Sequence, residues 1–292
     1  MRITEFMMTN TVIASESTAQ QQMARLSSEA ASGLAVQQPS DDPAAFSSLV
    51  QQDAQIGVVT ARQSAATVAG DNLNLAQTTL NEASTLVQQA ESIASEAANG
   101  SQTAASRADS ATQVNGLFQQ LLALANTQGS NGYLFGGTKT ATPPFDANGN
   151  FSGNSDTTQV EIANGVLAVS NASGADAFTA AGGRNVFADV QSLATALSTN
   201  DTAGIQSSIA NLGASFNQIV SAQVDTSEQA SVLQSAGTAM TNALTQMQVT
   251  RANVGDADAA TTFSSLQASE TSYQEAIQVN QSVLSAAYAN PN

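Results

Sequence analysis

The sequence has no cysteine, histidine or tryptophan, and among its 292 residues a single lysine, Lys139. Without cysteine there are no disulfides, thiolate metal sites or thiol nucleophiles. Without histidine, the usual metal ligand and the side chain best suited to proton transfer near neutral pH are both missing. Ser-His-Asp and Cys-His arrangements are excluded. No catalytic, cofactor-binding or metal-ligating residue is assigned, and the expectation is a protein that is not an enzyme and carries no cofactor. Positive charge is also scarce. Six arginines stand singly in a chain of net charge −16, so no basic stripe exists to neutralise phosphates and nucleic acid is excluded as a partner. An anionic membrane surface would repel such a chain. No apolar run approaches the ~18 residues that a membrane span needs. Residues Met1–Gln20 lack the apolar core of a cleaved signal peptide, so export would use a route without one.

Charged residues make up 10% of the chain, against roughly 25% in ordinary soluble domains. Hydrophobic residues reach 42% but aromatics only 4%, and alanine leads the apolar set. A core built from such side chains consists of thin seams.

Helical periodicity dominates both ends. Ala69, Leu73, Ala76, Leu80, Ala83, Val87, Ala90, Ala94 and Ala97 alternate at spacings of four and three, an a/d stripe whose small residues allow close helix approach. A helix from Gln63 to Ala98 would run roughly 50 Å at 1.5 Å per residue. Asn99-Gly100-Ser101 reads as a stop and turn. Ala104, Ala111, Val114, Phe118, Leu121 and Ala125 then resume the stripe. In the C-terminal half, Ile205, Ile209, Leu212, Phe216, Ile219, Ala230, Leu233, Met240, Leu244, Met247 and Val254 keep one register. Gln223 and Thr226 interrupt it, which predicts a bend or an exposed stretch. Phe263, Leu266, Tyr273, Ile277 and Leu284 carry a final stripe, and Ala19, Met23, Leu26 and Ala30 a weaker one near the start. Each stripe is too narrow for a free helix, and the terminal ones are expected to lack an intrachain partner long enough to cover them.

The middle differs in kind. More than half of the nineteen glycines lie between Gly129 and Gly183. Gln159–Ala163 and Val166–Val169 flank Asn164-Gly165, a strong hairpin signal that predicts a type I′ turn with positive φ at both residues. Asp146-Ala147-Asn148-Gly149-Asn150 predicts another turn. Val186, Phe187, Val190, Leu193 and Leu197 return the chain to helix.

Four local patterns have plain structural readings. In Pro39-Ser40-Asp41-Asp42-Pro43, an aspartate caps a helix that Pro43 opens; a metal site there lacks further ligands. Gly132-Tyr133-Leu134-Phe135-Gly136-Gly137-Thr138-Lys139 has the wrong order for a phosphate loop. Asp146, Asn148 and Asp156 fit no calcium loop. Arg62, Arg107 and Arg251 fall in phase with the seams, where the first expectation is a packed stem with its head in water, and the second a buried pairing with a carboxylate that fixes helix register.

Several of these residues resemble a known family. The start Met1-Arg2-Ile3-Thr4, Pro39-Ser40-Asp41-Asp42-Pro43-Ala44-Ala45, Asn131-Gly132-Tyr133-Leu134-Phe135-Gly136-Gly137-Thr138 and Thr142-Pro143-Pro144-Phe145-Asp146 are similar to the bacterial flagellin family, in its branch of hook–filament junction proteins. Ser32-Gly33-Leu34 is closer to filament flagellins, which remain the alternative. An intracellular coiled-coil adaptor is a further rival. The resemblance implies type III export to an extracellular flagellum, help from an export chaperone, self-association, and contact with hook, junction and filament subunits.

The fold expected is mainly α: an elongated bundle of long antiparallel helices with a small β-rich inserted domain, flagellin-like. Its parts are an N-terminal assembly helix (1–40), the N-terminal half of a helical rod (41–137), the insertion (138–185), the C-terminal half of the rod (186–250) and a C-terminal assembly helix (251–292).

Overall fold

The computed structural model describes residues 2–179 and 183–289. Met1 of the opening motif and Asn290-Pro291-Asn292 of the expected terminal helix lie outside the described residues, as does the Leu284 side chain. The elements are α1 (Arg2–Ser32), α2 (Pro43–Ala97), α3 (Ala104–Ala125), β1 (Gln128–Gly129), β2 (Gly132–Tyr133), β3 (Gln159–Ala163), β4 (Val166–Val169), α4 (Gly174–Phe178), α5 (Val186–Ser198), α6 (Thr202–Gly255) and α7 (Ala259–Ala289). The chain is mainly α, with long helices and a small β region, as expected. It divides into two compact units, residues 58–243 and residues 1–57 with 244–292.

In the first of these units, α2 and α6 meet in opposite directions. The Gln63 amide donates to Thr241 Oγ1 at 2.7 Å, Gly70 faces Leu233, and Gly213 faces Glu91. Leu73, Leu80, Ala83 and Val87 are completely buried, with Ala69 and Ala76 nearly so. From α6, Leu212, Leu233 and Met240 are buried, while Ile209 and Phe216 pack half-buried against the same core. Leu244 falls in the other unit and is half-buried. Helix α6 is continuous through Gln223 and Thr226, with Gln223 half-buried and Val224 and Asp225 exposed between them. Thr226 is buried, and its hydroxyl donates to the Ala222 carbonyl at 2.7 Å, which satisfies the polar atom inside the seam.

Residues 98–103 form the turn into α3, whose first N–H groups are capped by Thr103, with Ser106 N donating to its Oγ1. Arg107 departs from the first expectation. It is buried, with Nε on the Ala97 carbonyl at 2.8 Å, Nη2 on the Asn99 carbonyl at 3.2 Å and Nη1 on Asn200 Oδ1 at 2.6 Å. A guanidinium satisfies carbonyls that α2 leaves unpaired at its C-terminus, where the helix dipole favours a cation. Asn200 holds a φ of +56°, a left-handed conformation that asparagine tolerates better than most residues.

Helix α5 packs on α3, with the Phe118 and Phe187 rings edge to face at 5.8 Å. Phe135, Phe145, Phe151 and Phe178 extend this into one aromatic cluster. Buried Asp189 accepts two hydrogen bonds from the Arg184 guanidinium and one from Ser215 Oγ at 2.7 Å, fixing the entry to α5. The hairpin β3–β4 is antiparallel, with a register shift between Glu161 and Ala163. Gly165 has a φ of +73°, whereas Asn164 is not among the positive-φ residues, so the expected type I′ turn gives way to a bulged one. Asp146 closes its own turn by accepting from Asn148 N, Asn150 N and Asn150 Nδ2.

Leu80→Ala or Leu212→Ala should cost about 2–5 kcal/mol, and Ala83→Leu about 1–3 kcal/mol through overpacking, read by urea unfolding. Arg107→Ala should destabilise more than Arg251→Ala, because it strips buried carbonyls of their donors.

Candidate assembly surface

Helices α1 and α7 run against each other, and the Asn280 amide donates to Glu16 Oε2 at 2.7 Å. The terminal stripes therefore do have an intrachain partner, contrary to the sequence expectation: each is 31 residues long, and each covers one strip of the other. The cover is thin. Among the described side chains of the pair, Leu26, Glu29, Thr262 and Ser269 are buried, whereas Met7, Ile13, Phe263 and Val279 are each more than half exposed. Two helices in contact bury one stripe apiece and leave the remaining faces open. Of the expected stripe residues, Ala19, Met23, Ala30, Leu266, Tyr273 and Ile277 are half-buried, and Phe263 turns outward.

Two chain reversals are tied together at the other end of this unit. Gly33, at φ +72°, ends α1. Ala35 N then donates to the Gly255 carbonyl at 2.8 Å, and Ala257 N to the Gly33 carbonyl at 2.9 Å, so that Leu34 and Asp256 form an antiparallel bridge. Buried Leu49 packs where a side chain on Gly255 would sit. The Arg251 guanidinium lies 2.5 Å from Asp53 and 3.9 Å from Asp256, and its pKa is raised by the hydrogen bond to Asp53. Arg62 likewise pairs with Glu161 at 2.8 Å. These two arginines pair with carboxylates, but neither pair is buried as the second expectation required.

The motif Pro39–Pro43 builds the reversal into α2. Asp41 Oδ2 accepts from Gln37 N and Gln38 N at 3.0 Å. Asp42 Oδ1 accepts from Ala44 N and Ala45 N at 2.9 Å, beside Pro43 at the first helical position. The two carboxylates hold backbone N–H groups. Asp258 repeats the device at the start of α7, accepting from Ala260 N and Thr261 N. Sequence reasoning missed it, although an aspartate just before a helical stripe was signal enough. It also missed Asp189, for which no local pattern exists.

The glycine motif lies in the other unit. Gly132 (φ +105°) and Gly137 (φ +70°) leave no room for a side chain against Thr140 and Asn154 respectively. Tyr133 is half-buried, and Phe135 and Gly136 are buried. Beside them is a groove of about 570 Å³ bordered by Val68, Asn72, Tyr133, Thr138, Thr158 and Asn171; no acidic or basic side chain lines it. Among the described residues, no three acidic side chains converge as a metal site would require, and no described helix is long and apolar enough to cross a membrane.

Residues 3–140 match the family model of the bacterial flagellin N-terminal helical region, so the amino-terminal half of the chain is similar to the flagellin class. Within that class the similarity is to flagellar hook-associated protein 3. The Salmonella typhimurium protein is 28% identical over 155 residues, covering 52% of this chain and 49% of that one. The Escherichia coli protein is 32% identical over 135 residues, covering 44% and 42%. The matched stretch thus spans about half the length of these relatives or less. Among solved structures, a Vibrio parahaemolyticus protein assigned to the flagellar hook-associated class superposes with a TM-score of 0.68 at 22% identity, over 74% of this chain and all of that one. Hook-associated protein 3 of Legionella pneumophila superposes with a TM-score of 0.59 at 17% identity, over 70% and 97%. These structural likenesses concern the fold.

Asp42→Ala should cost about 1 kcal/mol through loss of the cap, measured by thermal unfolding. The Asp41 carboxyl is held below its ordinary value by the N–H groups of Gln37 and Gln38. The folded pKa is the depressed one, so the turn's contribution is complete above the unfolded value of about 3.9 and is lost as pH falls through the folded pKa. Faster amide exchange at Gln37 and Gln38 in acid, after correction for intrinsic rates, checks this.

Proposed function

We propose that this chain is a structural subunit of the bacterial flagellum that self-assembles through its terminal helices at the hook–filament junction. The observation that carries the reading is the α1–α7 pair, whose apolar residues Met7, Ile13, Phe263 and Val279 stay in water. Apolar side chains exposed along both helices are available for burial by sister molecules or adjoining subunits. Similarity to hook-associated protein 3, and the fold shared with a Legionella pneumophila protein described as a flagellar junction protein, support the same assignment. The role is mechanical, with no catalysis. The groove beside the glycine motif has no carboxylate, lysine or arginine among its lining residues to activate the hydroxyls there.

The partners proposed are further copies of this chain, hook and filament subunits, and an export chaperone; nucleic acid and membrane are not among them. The location proposed is the extracellular flagellum, reached by type III export without a cleaved signal. A filament flagellin is the second reading, favoured by Ser32-Gly33-Leu34. Purified protein added to filament seeds separates the two: a junction subunit should fail to extend them, and elongation would establish the flagellin reading instead.

Limited proteolysis of the soluble monomer tests the terminal role. With so few buried side chains in α1 and α7, local opening is cheap there. Roughly the first and last thirty to forty residues should be clipped well before residues 58–243. Uniform resistance along the chain would favour an intracellular coiled-coil adaptor.

A further inference from the structure

The tip of the β3–β4 hairpin combines an exposed Asn164-Gly165 pair with a carboxylate placed on the reacting nitrogen. Gly165 N–H donates to Glu161 Oε1 at 3.0 Å. That same oxygen is held at 2.8 Å by Arg62 Nη2, which fixes the carboxylate over the turn. Gly165 has open space around the position of a Cβ.

We propose that Asn164 is a site of self-catalysed deamidation, with Glu161 as its general base. Glu161 takes the Gly165 amide proton, and the nitrogen attacks Asn164 Cγ. A C–N bond forms and the side-chain nitrogen leaves as ammonia, giving a succinimide. Water then opens the ring at either carbonyl and yields aspartate or isoaspartate. The balance is one water consumed and one ammonia released, with no oxidant or reductant. A base within hydrogen-bond reach of the proton it removes is the geometric requirement for such catalysis.

The other Asn-Gly pairs lack this arrangement. Gly149 N–H is engaged by the Asp146 carbonyl at 3.0 Å. Gly132 sits in the β1–β2 ladder, and Asn115-Gly116 lies inside α3. At Asn99 the side-chain oxygen accepts from Ser101 N and the backbone oxygen from Arg107. Each conversion at Asn164 adds a negative charge beside Val166 and Leu167, two of the exposed large apolar side chains.

The test is incubation of the intact full chain at neutral pH in heavy-oxygen water, followed by peptide mapping with mass detection. Asn164 should convert first, taking up the heavy oxygen and giving both isomers, ahead of Asn99, Asn115, Asn131 and Asn148. Glu161→Gln, which keeps the shape but not the base, should slow conversion roughly tenfold, below the hundredfold of a well-placed general base because this one touches solvent. If Glu161 merely braced the turn, the same variant would loosen the tip and speed the reaction. An unchanged or faster rate in Glu161→Gln, or another asparagine converting first, overturns the assignment.

Discussion

Close approach of α2 and α6 along alanine-rich seams is the contact on which the rest of residues 58–243 depends. An alanine buries little area, at roughly 25 cal/mol per Å², so such a seam stabilises weakly per turn and must be long to suffice. Helices of 55 and 54 residues supply that length. The same small side chains permit neither a void nor an added methylene, because interior packing is dense. Leu73, Leu80 and Val87 act as the larger knobs, and Leu212 and Leu233 are buried with them.

A long thin seam needs firm ends, and charged groups provide them. Arg107 satisfies the carbonyls at the close of α2, and the Arg184–Asp189–Ser215 group holds the start of α5 against α6. Between them the phenylalanine cluster gathers the glycine-rich middle onto α3 and α5. Phe135, Phe178 and Phe187 are fully buried there, and that accounts for a middle segment with so little regular strand remaining compact.

The terminal unit has the opposite balance. The Asp41 and Asp42 turn, the Leu34–Asp256 bridge and the Asp53–Arg251–Asp256 group define its two chain reversals through backbone and polar contacts. Its paired helices bury few side chains and present apolar ones to water. Local geometry is therefore well specified where the chain turns, while the helix faces keep free energy available for association. On the proposed assembly role, burial that a globular domain would complete internally would be supplied by neighbouring molecules.

Much of this was legible in residue spacing. Four-three periodicity located α2, α3 and α6, Asn99-Gly100-Ser101 the first turn, and Pro39–Pro43 the start of α2, because these signals act through neighbours in sequence. The helical type of those elements follows from such local rules, whereas β1, β2 and α4 carried no such signal. Tertiary structure alone decided that α1 and α7 cover each other, that Thr226 is inside the seam, that Arg107 is buried on carbonyls, and that Asp189 is an anchor. Each of those depends on how segments distant in sequence pack together, where burial reverses what periodicity or charge would suggest. Sequence spacing fixes which faces are apolar; only the folded chain settles which of those faces it covers itself.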